Sequence, residues 1–355
     1  MFALWPGDRL NFSIFIQPTF GFVGQTAASE AGHIANTNVS GKPCRTEMTN
    51  ILDIDDRKTD FATIQKETFR TELGLRAISF MYDDHSDDKD SYENILKLKD
   101  NVQYRLFSAT HQYLVLLREL GAAEAYLQKL YKDNPNYISA FPFGNPYFDQ
   151  VELELSSLFD NIIFQLSSTF DYISHIVCYI TFKNKSNTVY WTKLAKTARG
   201  DNNELSELEI KRTIDKLDKR FVGRLYDYRS RLLHHKRDKH EFGGVTNLPD
   251  FKFKIQIEPS SVSLKHFDLI KEETKDLKFT LTYFSSWLIK RTFVEIEEIL
   301  DALEPEIKKN TSFYKNVGRP KRKNGLNVVS INKETNTIEP SSDGFWKEYK
   351  SKASR

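Results

Sequence analysis

The sequence predicts a mainly α protein: an antiparallel helical bundle with a short strand insertion and a small irregular N-terminal appendage. Three observations carry this. Apolar residues recur at spacings of three and four over four long segments between residues 91 and 304. Those segments are separated by breaks rich in proline, glycine and asparagine, which let successive helices reverse direction. Strand-like alternation is confined to two short stretches.

Residues 1–60 scatter Gly, Pro, Asn and Thr without a period, and only Asn11-Phe12-Ser13-Ile14-Phe15-Ile16 alternates like a strand. Helical spacing begins near residues 62–80 and is expected to break at Asp83-Asp84-His85-Ser86-Asp87-Asp88-Lys89-Asp90. That run lacks the glycine and terminal glutamate of a calcium loop and reads as a solvated linker. Residues 1–90 are therefore expected to form the appendage, 91–304 the bundle, and 305–355 a basic flexible tail.

The first bundle helix is expected over 91–133, with Ile95, Leu98, Val102, Leu106, Leu114, Leu117 and Leu120 on one stripe and Gly121 as a point of bending. Asp133-Asn134-Pro135-Asn136 stops it, because proline removes a donor and restricts its predecessor. The second follows Asn145-Pro146 and runs to about Phe182. It carries the strongest period in the chain, from Leu155, Leu158 and Phe159 through to Val177 and Ile180. A loop and short helix (187–199) lead to the break Arg199-Gly200-Asp201-Asn202-Asn203, and the third helix is expected over 204–238. Gly243-Gly244 then precedes Phe251-Lys252-Phe253-Lys254-Ile255-Gln256-Ile257, an alternating strand. The fourth helix, 263–304, is expected to stop near Pro305.

A chain of 355 residues, 39% apolar and 28% charged, has the composition of an ordinary globular protein, and 26 Phe with 16 Tyr point to an aromatic-rich core. Net charge is only +2, yet Tyr190–His240 holds 14 Lys/Arg against 8 Asp/Glu, and Ile307–Arg355 holds 12 against 4. Positive charge is thus concentrated locally, where a polyanion would be met. Two cysteines, Cys44 and Cys178, argue against a disulfide scaffold and fit a reducing cytoplasm. No run of 18 apolar residues exists, and the first residues have no basic stretch ahead of an apolar one, so a cytoplasmic protein without a membrane segment is expected.

The chemistry-bearing stretch is Arg229-Ser230-Arg231-Leu232-Leu233-His234-His235, late in the third helix. It pairs an always-cationic guanidinium, Arg229, with an imidazole, His234, that exchanges protons near neutral pH. RNA carries its own nucleophile, the 2′-hydroxyl, so proton transfer and charge stabilisation suffice to cleave it without a metal. Tyr228 precedes the arginine, while His235, Lys236 and Arg237 follow, forming a basic rim with an aromatic against which bases can stack. Arg229 and His234 are the catalytic candidates; Ser230, Tyr228, His235, Lys236 and Arg237 are the substrate-binding candidates. Arg105 and His111 have a comparable spacing but sit mid-way along the first helix and read as surface charge.

Set in an all-helical bundle at 91–304, Arg229-Ser230-x-x-x-His234 resembles the R-x4-6-H motif of the HEPN domain family, with serine where that family more often has Asn, Asp or His. The resemblance implies a metal-independent endoribonuclease site formed by Arg229 and His234, usually shared between two protomers. It also implies RNA as partner, a homodimer, no metal or cofactor, and a role as a toxin or antiviral defence effector with an antitoxin or other partner protein. The helix geometry agrees with a shared site: residues five apart lie about 140° round the axis, so Arg229 and His234 do not share a face.

Two other readings stand beside this one. A non-catalytic HEPN-like module would bind RNA or nucleotide with Arg229 as phosphate anchor. A helical protein-interaction scaffold would use its basic face to dock an acidic partner, the terminal His-His-Lys-Arg simply favouring a helix C-terminus and Arg224, Arg229, Arg231 and Arg237 pairing with Asp227 or Asp238. Asp160, Asn161 and Asp171 are candidates to orient His234, although surface exposure is the plainer expectation. His175 and Cys178 have a metal-ligand spacing but no second pair and read as core. Gly318-Arg319-Pro320-Lys321-Arg322-Lys323 is similar to an AT-hook core, and a solvated basic tail is the simpler reading.

Overall fold

Helices form where the apolar period is strong, and several further elements form where it is weak. In chain order the elements are β1 (Ile51–Leu52), α1 (Arg57–His85), α2 (Ser91–Asp133), α3 (Pro146–Thr181), α4 (Trp191–Arg199), α5 (Ile210–Leu217), a π turn (Asp218–Val222) and α6 (Gly223–His234). There follow β2 (Glu241–Asn247), β3 (Phe253–Glu258), α7 (Ser261–His266), α8 (Leu269–Thr274), β4 (Lys278–Phe279), α9 (Leu281–Lys308), β5 (Val329–Asn332), β6 (Thr337–Pro340) and α10 (Ser341–Ala353). The computed structural model describes residues 51–353 apart from 53–56, 88–90, 135–144, 183–187, 235–237, 248–252, 276–277, 310–328 and 333–336. The expected strand at 11–16 and the AT-hook-like Gly318–Lys323 lie outside the described residues.

The protein is a mainly α helical bundle, as its sequence predicts. The α3 helix is its spine: Asn145 accepts from Tyr147 N–H at 3.0 Å, Pro146 occupies the first turn, and the stripe from Phe148 to Tyr179 is buried. It packs along α2 and against α9. The core is as aromatic as the composition implies. Phe159 stacks on Phe284 at 5.4 Å, and Phe170 meets Trp191 edge-on at 5.3 Å.

The boundary expected at residue 91 is corrected: α1 is a 29-residue helix packed on α9, α2 and α10. Its start is tied by Asp60, which accepts from Tyr113 Oη at 2.8 Å and pairs with Lys290 of α9. The helix also continues through Asp83, Asp84 and His85, where a linker was expected. Asp84 is largely buried beside Ser342 of α10; burial raises its pKa and the Ser342 hydrogen bonds act in the opposite sense.

The third segment begins at Ile210 rather than 204 and ends at His234, and the fourth is split into α7, α8, β4 and α9. Ser260 caps α7, Lys275 ends α8 in a left-handed conformation at φ 54°, and Thr280 caps α9, so local hydrogen bonding divides what a running apolar count joins. Pro305 lies inside α9, within one turn of its end, and its missing N–H takes from the helix only the hydrogen bond to the Asp301 carbonyl one turn upstream. Helix α2 passes through Gly121 without interruption. Gly243-Gly244 belongs to β2, which pairs antiparallel with β3 and shifts register between Phe242 and Gly244.

The expected flexible tail contains a docked helix. Trp346 and Tyr349 of α10 are buried, and Tyr349 lies so close to Gly74 of α1 that a Cβ there would sit 2.8 Å from its ring. Glycine permits this close approach.

Candidate functional site

The motif sits on the continuous helical run α5–π turn–α6. In the π turn one extra residue is accommodated, which rotates everything downstream by about 100° relative to an uninterrupted helix. Gly223 makes the turn possible: a Cβ at this position would stand 2.6 Å from the Asp218 carbonyl oxygen. Asp218 is held in place by Trp191 Nε1, which donates to it at 2.8 Å, and by Arg199. Downstream, Leu225 and Tyr228 turn into the core, Tyr226 and Arg229 turn towards α3, and Ser230, Leu233 and His234 are exposed.

Arg229 is anchored but not saturated. Its Nη1 lies 3.5 Å from Asp171 Oδ2, its guanidinium stands over the Tyr226 ring at 5.8 Å, and its side chain keeps 29% exposure. Arg229 Nε is buried and has no hydrogen-bond partner among the described residues, so the exposed part of the side chain is the rest of the guanidinium and its stem. Asp171 is shared among several donors. Tyr226 Oη lies 2.5 Å from its Oδ1 and 2.9 Å from the Ser167 carbonyl, and Trp191 N–H at the start of α4 donates to the same carboxylate at 3.3 Å. Burial, then the Asp171 charge and hydrogen bond, raise the Tyr226 pKa and keep the phenol protonated. Asp171 thus positions Arg229, where surface exposure was the plainer expectation.

His234 is the last residue of α6, exposed, and about 140° round the helix axis from Arg229, with no hydrogen bond between the two among the described residues. One chain therefore does not bring the two catalytic candidates together. Ser230 is exposed on the same edge as His234. Tyr228, expected at a substrate rim, is corrected to a core residue: it is fully buried, donates to Asp238 Oδ2 at 2.7 Å, and has a raised pKa, chiefly from burial and then from Asp238. His235, Lys236 and Arg237 lie outside the described residues.

Beyond them the chain is pinned. Ser260 Oγ donates to Asp238 at 2.5 Å, and His240 Nδ1 accepts from Ser260 N–H at 3.0 Å. The pairing imagined for a bland basic face is likewise corrected: Arg224 pairs with Asp268 and Arg229 with Asp171, while Asp238 is buried.

On α3, His175 is corrected from the expected core position to a half-buried one. His175 lies one turn beyond Asp171, half-buried, with ring centroids 5.8 Å from Tyr172 and 5.6 Å from Tyr190. Arg105, expected to be ordinary surface charge, donates to Gln165 at 3.0 Å and lies 5.4 Å from the Tyr104 ring and 5.8 Å from the Tyr172 ring. The only available signal was Asp171-Tyr172-x-x-His175, an i, i+4 pair beside an aromatic. Cys178 is core, as expected, with burial pushing its thiol up to about 11.

Among the described residues no group of three or more His, Cys, Asp or Glu is placed to hold a metal ion, and no helix is long and apolar enough to cross a membrane. No protein-family model, curated protein or solved structure matches the chain. The resemblance to HEPN domains therefore rests on the motif and its helical setting.

Proposed function

We propose that the protein is a metal-independent endoribonuclease that acts as a homodimer, with Arg229 of one protomer and His234 of its partner meeting at one phosphodiester. The observation that carries this reading is the state of Arg229. It is held through Nη1 by one carboxylate at 3.5 Å, and its side chain keeps 29% exposure. A phosphate can complete its hydrogen bonding, and a guanidinium fork matches phosphate geometry. His234 stands on an exposed edge with Ser230 and with Leu233, which is 58% exposed, so a second copy covering this edge would bury apolar surface while delivering the imidazole.

In the reaction His234 takes the 2′-hydroxyl proton, the 2′-oxygen attacks phosphorus, and the bond to the 5′-oxygen breaks. The proton passes to the leaving oxygen. The products are a 2′,3′-cyclic phosphate and a 5′-hydroxyl, and Arg229 stabilises the charge that builds on the non-bridging oxygens. We place the activity in the cytoplasm, from the cysteine usage. A toxin or antiviral defence role, with an antitoxin or other partner, rests on analogy with the family.

The test is incubation of the purified chain with RNA in EDTA. Cleavage to cyclic-phosphate ends that is lost in both Arg229→Ala and His234→Ala is the expected result. Salt-sensitive binding without cleavage would leave the non-catalytic RNA-binding reading, and no RNA binding would leave the interaction scaffold.

A further inference from the structure

Beside Arg229 the surface carries a ladder of rings and a cation that folding alone does not account for. It begins at Tyr104 on α2, passes to Arg105 at 5.4 Å, to Tyr172 on α3 at 5.8 Å, to His175 edge-on at 5.8 Å and 88°, and to Tyr190 ahead of α4 at 5.6 Å and 45°. The two end rings are among the most exposed large side chains of the molecule, Tyr104 at 64% and Tyr190 at 65%. Aromatic rings left in water contribute little to a core, and here two of them stand at either end of a run that holds a cation and an imidazole.

The ladder is built on rigid parts. Arg105 is fixed by Gln165 at 3.0 Å. The segment carrying Tyr190 is tied to α3 by Ser174 Oγ, which lies 2.6 Å from the Val189 carbonyl, and by Trp191 N–H on Asp171. Asp171 is the same carboxylate that holds Arg229, so the ladder and the arginine adjoin on one face of α3. The negative charge at that point is offset by Arg229 and by the Tyr226 and Trp191 donors. Burial lowers the His175 pKa, with Asp171 opposing, which favours a neutral ring with a π face.

We infer that Tyr104, Arg105, Tyr172, His175 and Tyr190 form a stacking platform for the unpaired bases of single-stranded RNA, leading the backbone to Arg229. Alternating rings and a guanidinium suit bases, because every base has a π face and arginine stacks on either side. A paired helix keeps its bases inside and cannot use such a surface, so the site selects single strands over duplexes. This deepens the nuclease reading, since it rests on Arg229 as the phosphate-binding group, and it names the class of RNA that the site takes.

Fluorescence anisotropy of the full chain with labelled oligoadenylate, and with an RNA duplex of equal length, tests it. Tyr104→Ala and Tyr190→Ala are each expected to weaken single-strand binding by about 5- to 100-fold, and Tyr→Phe at either position to keep it. Duplex binding should be unchanged. Both positions are exposed, so the fold is not at stake.

Equal single-strand affinity in wild type and both alanine variants overturns the platform, as does a wild type that binds no single strand. If wild type binds and Tyr104→Ala and Tyr190→Ala bind less, but nothing is cut, the platform stands and the nuclease reading falls. If both alanine variants cut single strands with unchanged KM, the nuclease reading stands and the platform falls.

Discussion

Arg220 and Arg229 lie on one helical run, yet the bundle treats them differently. Arg220 is doubly paired: its Nη2 lies 2.7 Å from both Glu295 and Glu298, and Glu295 is fully buried with Arg291 on its other side. Arg229 meets one carboxylate at 3.5 Å, and that carboxylate already serves Tyr226 and the start of α4. The first is an internal tie between α9 and the π turn. The second is a cation with unused hydrogen-bonding capacity at a surface. Residue type does not separate them; the number of carboxylates folded against each does.

The largest effect that sharpens this contrast is on cleavage. Arg229→Ala and His234→Ala should each reduce RNA cutting by about 100-fold or more, read from the rate of cyclic-phosphate formation in EDTA. Mixing the two inactive variants should restore roughly a quarter of wild-type activity, because half the dimers are mixed and each holds one intact Arg229–His234 pair. No recovery on mixing would show that the site is not shared.

Stability should divide the two arginines in the opposite direction. Arg220→Ala should lower unfolding free energy by about 3 kcal/mol, because it strips a partner from the buried Glu295. Arg229→Ala should change it by less than about 1 kcal/mol, as expected of a partly exposed pair. Urea denaturation followed by circular dichroism reads both, and equal losses would mean that the two arginines contribute alike to the fold.

Asp171→Asn is expected to have an intermediate effect. It keeps the shape and an acceptor for Tyr226 but loosens Arg229, so RNA cutting should fall about tenfold while the fold persists. A Asp171→Asn variant with wild-type rate would mean that Asp171 does not position the arginine.

The smallest effect is on pH dependence. His175 is held below its usual pKa by burial, against the opposing charge of Asp171. The folded state therefore binds the proton less readily than the unfolded chain. Stability from this group is intact above about pH 6.5 and declines as acidification carries the pH from there towards the folded value. His175→Gln should flatten that acid limb in thermal melts. Asp171→Asn should move the His175 titration, followed by NMR, to still lower pH, since it removes the one influence that raises it.

Much of the fold was legible in the chain. The period from Leu155 to Ile180 defines α3 because a buried helix must repeat its apolar residues at the helical spacing, and Asn145-Pro146 marks its start for reasons of capping. The α10 helix was not legible. Its apolar anchors, Trp346 and Tyr349, sit among lysines, and only the gap over Gly74 gives them a place to dock. The same holds for Tyr228, which reads as a rim aromatic until the π turn rotates it inward against Asp238. Arg229 could be picked out by its neighbours in sequence, whereas Asp171, 58 residues earlier, could not be linked to it.

By itself the sequence determined the helices with strong apolar stripes, the absence of a long apolar span, and the presence of a guanidinium and an imidazole five residues apart. Those properties are local, set by spacing along one chain segment. Tertiary structure alone decided which arginine is neutralised, which tyrosines face solvent, and where the π turn aims the motif. Those outcomes depend on groups far apart in the chain competing for the same carboxylates and the same buried space, and no short-range pattern encodes the result of that competition.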